Sequence, residues 1–75
     1  MKLAQRLTAI ILRGDEGFAA LCPELDIASE GASIEEARVN LIEALTLFFE
    51  TAAPSEVARR FHSEVFVTQV EVPVG

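Results

Sequence analysis

Residues 21–37 read LCPELDIASEGASIEEA. The stretch holds the chain's only cysteine, a proline beside it and five of the twelve acidic residues. Thiol and carboxylates together suggest an active site, but the order of residues suggests a joint. Pro23 has no N–H to donate, so it ends a ladder. "ELD" carries the chain around, and Ile27–Gly31 reads as a short third strand at a sheet edge. Gly31 frees the entry to a helix. Ser33 and Glu36 then form S-x-x-E: the serine oxygen accepts an orphan backbone N–H and the glutamate reaches back to the serine N–H. Glu35 and Glu36 also favour the positive end of the helix dipole.

Outward from the joint, the pattern is regular. Upstream, residues 5–13 alternate as a first strand, with Leu7, Ala9, Ile11 and Arg13 on one side. "RGDEG" is a Gly-bracketed turn and "FAALC" a second strand, so the two make a hairpin. Downstream, Ile34, Ala37, Leu41, Ala44, Leu45 and Phe48 recur at helical spacing and are expected to face the sheet. The helix should run to about Thr51, with Pro54 stopping it. Residues 55–64 read as a loop or a turn of helix. Residues 64–72, "EVFVTQVEV", alternate as a fourth strand: Phe66, Thr68, Val70 and Val72 one way, Val65, Val67, Gln69 and Glu71 the other. The expected fold is α+β, in the order β-β-β-α-β: a three-stranded antiparallel sheet, one main helix, then a fourth strand.

Seventy-five residues make one domain, residues 1–75. A chain of this size buries about 60–65% of its unfolded surface. Half of the residues, 51%, are nevertheless hydrophobic. Part of that surface is expected to close against another chain, as a homodimer or higher oligomer. Val39, Ile42 and Phe49 form a second apolar strip on the helix flank. These three, or an edge strand, are the expected interface. The formal charge of −6 repels phosphate, so direct nucleic-acid binding is not expected, and a basic partner is favoured. A single cysteine points to a reducing, cytoplasmic setting. No apolar run approaches the ~20 residues of a membrane span. The start, with Lys2, Arg6 and a brief apolar patch, resembles a leader only faintly and fits a strand better.

The candidates for chemistry are few. Cys22 and His62 are the only thiol and imidazole, and Cys22 has no cation in its local sequence to lower its pKa. Its reading is a packing residue. One Cys and one His fall short of a zinc set. Glu36 is engaged in its cap, and Asp26 and Glu30 lie around a turn and an edge, so a two-metal hydrolytic site is not expected. "RRFH" (residues 59–62) reads either as a contact for a phosphate or acidic partner, or as a solvated loop. No cofactor, metal or catalytic residue is expected; the chain reads as a binding module, not an enzyme.

Several of these pieces, in order, resemble the HicB family of antitoxins. They are Gly17 and Phe18, Ala20, Pro23 to Leu25, Gly31 and Ser33, Glu35 to Ala37, Asn40, and Glu43 to Leu45. The resemblance implies a partial RNase H-like fold without the nuclease carboxylates. It implies oligomerisation, and neutralisation of a small basic mRNA-cleaving toxin of the HicA type. Many members carry a C-terminal DNA-binding domain; the chain ends at Gly75, so a short form without it is expected. From clustering alone, Asp15, Glu16, Glu24, Asp26 and Glu30 are the expected toxin-binding acids. The alternative is an orphan oligomer of the same fold, with a structural or small-ligand role and no toxin.

Overall fold

Gly14 donates its N–H to the Gly17 carbonyl (2.7 Å), and this tight turn folds two apolar runs together. The structure, a computed structural model, describes residues 5–75. Residues 1–4, and with them Lys2 of the leader-like reading, lie outside the described residues. The elements are β1 (Ile10–Arg13), β2 (Phe18–Cys22), β3 (Ile27–Gly31), α1 (Ile34–Thr51) and α2 (Pro54–Arg60). The strands form one antiparallel sheet in the order β1-β2-β3, with Ile11 opposite Ala20 and Ala20 opposite Ser29. β1 and β3 are therefore both edges. The β2–β3 turn places Asp26 at φ 56°, a left-handed conformation that Asp tolerates better than most residues.

The core lies between the sheet and α1. Ala20 and Cys22 from β2, Leu25 from the turn, and Ala37, Leu41 and Leu45 from α1 are buried; Leu7, Ile11, Phe18, Ile27, Phe48 and Phe61 pack around them. α1 lies over β3 and β2 and only grazes β1. Gly31 sets this placement. A Cβ there would fall on the Ala37 amide nitrogen and 2.7 Å from the Glu36 carbonyl carbon, so only glycine admits so close a helix. Asn40 adds a tie, donating to the Glu30 carbonyl on the β3 edge (2.8 Å).

Three expectations change, and one open reading is settled. Ladder pairing of the first strand covers only Ile10–Arg13, because beyond Leu21 and Cys22 its partner strand runs into the Pro23 turn. The cap holds, with Ser33 Oγ accepting from the Glu36 N–H (3.0 Å), but Glu36 reaches back to the Ala32 N–H (2.9 Å), one residue earlier than expected. Ile34, in the first turn just past the end of β3, is exposed and does not face the sheet. The ambiguous stretch after Pro54 is a second helix; proline at its first turn begins it as readily as it ends α1.

A fourth strand is not paired in the chain. Residues 61–75 form no helix or ladder, and residues 66–75 are exposed throughout. The molecule measures 51 × 28 × 20 Å. α1, at about 1.5 Å per residue, spans only ~27 Å, so the tail stands off the body.

Replacing Gly31 with Ala should destabilise the fold by about 1–3 kcal/mol, the range for forcing atoms into a packed contact. Ser33→Ala should cost about 1 kcal/mol through loss of the cap. Urea denaturation of the two variants checks both values.

Candidate binding surfaces

Glu24 is an acid inside the protein. Only 7% of its surface is exposed. Its carboxylate accepts from the Thr8 N–H (3.0 and 3.1 Å to its two oxygens), from the Thr8 hydroxyl (2.7 Å) and from the Cys22 thiol (3.4 Å). Burial pushes this carboxyl up, but the Thr8 hydroxyl, its own backbone N–H, the Thr8 N–H and the Cys22 thiol outweigh burial and hold it below its ordinary value. Burial likewise pushes the Cys22 thiol up, and the bond to Glu24 and its charge add to that, against the amides of Leu25 and Glu24. Cys22 is thus a buried donor with a suppressed thiolate, as its packing role requires.

The same turn holds the end of the second helix. Arg60 donates to the Leu25 carbonyl (3.1 Å) and its guanidinium lies 5.0 Å from the centre of the Phe48 ring. The His62 N–H bonds the Glu24 carbonyl (2.7 Å). Arg60 is therefore a structural clamp, which leaves Arg59 and the exposed His62 as the solvated part of "RRFH".

The five acids expected to meet a partner do not form one group. Glu24 is withdrawn into the interior. Asp26, exposed in the β2–β3 turn, sits at one end of the sheet. Asp15 and Glu16 in the β1–β2 turn, and Glu30 opposite Ala19, sit at the other. β2 separates the two ends by about 17 Å. Asp15, Glu16 and Glu30 border a hollow of about 620 Å³ floored by Gly14, Gly17, Phe18 and Gly31. Glu35 and Glu36 begin α1 beside it. Arg38 pairs with Glu35 at 3.2 Å, while Asp15, Glu16 and Glu30 take part in no ion pair among the described residues. No group of three or more His, Cys, Asp or Glu among the described residues could hold a metal ion.

A second surface is apolar. Because α1 sits over β3 and β2, a groove of about 800 Å³ stays open on the β1 side. Leu7, Thr8 and Ala9 form one wall; Leu41, Ile42, Leu45 and Phe49 form the other. Two of the three residues expected at an oligomer interface, Ile42 and Phe49, are here and exposed. Val39 is exposed but lies outside the groove. No helix of the described residues is long and apolar enough to cross a membrane.

No protein-family model matches the chain, and no characterised protein or solved structure is significantly similar to it.

The Glu24 arrangement has a pH signature. Its carboxyl titrates lower in the folded chain than in the unfolded one. The stability it adds is complete above the unfolded value and is lost as pH falls through the folded one. Urea titrations between pH 3 and 7 should show this acid limb, and Glu24→Gln should flatten it while costing about 1–3 kcal/mol at neutral pH. Cys22 should resist thiol reagents at pH 8 until the chain is unfolded; prompt labelling of the native protein would contradict its burial.

Proposed function

We propose that the chain is an antitoxin module of the HicB type, acting in the cytoplasm by covering the basic RNA-binding surface of a small mRNA-cleaving toxin. The observation that carries this reading is the acidic end, where Asp15, Glu16 and Glu30 are exposed, free of ion pairs among the described residues, and grouped around one hollow. Such a field speeds encounter with a cationic partner and repels nucleic acid. Supporting it are the ordered residues Pro23 to Leu25, Gly31, Ser33, Glu36 and Asn40, which the family resemblance singles out. Each has a structural task here: the buried turn, the close helix approach, the cap and the tie to β3.

On this reading the sheet belongs to a partial RNase H-like fold, with residues 64–72 supplying a fourth strand. The antitoxin acts by occupancy, so it needs no catalytic group of its own. Its partner face is the end bearing Asp15, Glu16 and Glu30, without Glu24, which is buried, and without Asp26, which lies at the far end.

The test is whether a small basic protein is encoded beside this chain and binds it, measured by calorimetry at low salt. The triple variant Asp15→Lys, Glu16→Lys, Glu30→Lys should weaken the complex about tenfold or more, roughly 1.4 kcal/mol. Asp26→Lys should leave it unchanged. Absence of a complex, or equal affinity for the triple variant, would overturn the proposal.

A further inference from the structure

The free edge of β1 and the unpaired tail are complementary in sequence. Arg6 and Arg13 are seven residues apart, and so are Glu64 and Glu71. None of the four is in an ion pair among the described residues. Laid antiparallel with Glu71 opposite Arg6, the tail brings Glu64 opposite Arg13. Five of the six pairs between them then set apolar against apolar or polar against polar, and the sixth sets Thr68 against the small Ala9. On the helix side Val70 faces Leu7, Thr68 faces Ala9 and Phe66 faces Ile11. On the outer side Gln69 faces Thr8, Val67 faces Ile10 and Val65 faces Leu12. Laid parallel, with Glu64 opposite Arg6, the same tail sets Gln69 against Ile11, on the core side. The residue pattern thus selects the antiparallel register.

A chain cannot make that pairing with itself. His62 is held at Glu24, whose carboxylate also holds Thr8, so the tail is rooted at the head of β1. The antiparallel register needs Glu64 beside Arg13, five residues further along, about 17 Å away. Two residues beyond His62 reach at most ~7 Å.

We propose that residues 64–72 of each chain pair antiparallel with the β1 edge of a second copy, giving a reciprocal two-fold dimer. Phe66 and Val70, 86% and 78% exposed in the single chain, enter the groove lined by Leu7, Ala9, Leu41, Ile42, Leu45 and Phe49. The exchange covers the open flank of α1, satisfies the backbone groups of the β1 edge and extends each sheet to four strands. A closed pair leaves no tail free to add further chains. This inference is argued from β1, α1 and the tail alone and does not rest on the antitoxin reading.

The full chain should have the mass of two chains by light scattering, and amides 64–72 should be protected from exchange. Phe66→Lys with Val70→Lys alters only exposed tail positions, and should weaken dimerisation by more than about a hundredfold, as expected when two apolar anchors per chain become charged. The pair Leu12→Cys and Val65→Cys should form an inter-chain disulfide on oxidation, because these positions face each other only in the antiparallel register. A monomeric native chain would overturn the proposal. So would a dimer indifferent to the lysine variant, or a cysteine pair that gives no covalent dimer.

Discussion

A single buried carboxylate ties together the parts of this protein that sequence keeps apart. Glu24 accepts from Thr8 at the head of β1 and from Cys22 at the end of β2, while its carbonyl holds His62 beyond α2. A carboxylate removed from water is costly unless its lone pairs are filled. Here they are filled by groups that would themselves be orphans: Thr8 lies outside the β1 ladder, in a stretch whose N–H groups have no strand beside them. The charge and the unpaired backbone relieve each other. No buried side-chain nitrogen or oxygen among the described residues is left without a partner.

The second constraint is steric. Gly31 lets the backbone of α1 touch the sheet at Ala37, and Asn40 fastens the helix to the β3 edge. Together they pull α1 toward β3. Two layers of this width cannot then cover all three strands, and the side left open is that of β1. The groove beside β1 and the exposure of Ile42 and Phe49 follow from where one glycine stands. Further toward the chain's end, Arg60 clamps α2 to Leu25 and Phe48, which fixes where the tail leaves the body.

Local signals made much of this legible in the sequence. The hairpin turn, the Ser33–Glu36 cap, the period of α1 and its stop at Pro54 each depend on residues within four positions of one another. What escaped were contacts set by distant residues. Glu24 looks like one more surface acid, because Thr8, the residue that buries its charge, is sixteen positions away. Asp26 and Glu30 are only four residues apart, but β3 runs extended between them and carries them to opposite ends of the sheet. Alternation in residues 64–72 is evident from sequence, but alternation describes two faces and says nothing of which edge a strand joins. The helix side of α1 was read correctly at Ala37, Leu41 and Leu45, and failed only at Ile34, where the sheet beneath has already ended.

Charge and apolar surface are therefore divided rather than mixed. The acids left unpaired around the β1–β2 turn carry the long-range field; the apolar flank of α1 opens on the side of β1. Two chains, each with a formal charge of −6, repel at a distance, and that repulsion falls off within about 10 Å at ordinary salt. An interface that used the acidic end would have to overcome it at contact. One built from Phe66, Val70 and the α1 flank does not, and it sets Glu64 and Glu71 near Arg13 and Arg6. The pairing proposed for two chains thus draws on apolar surface, and the cationic partner proposed for the acidic end draws on charge.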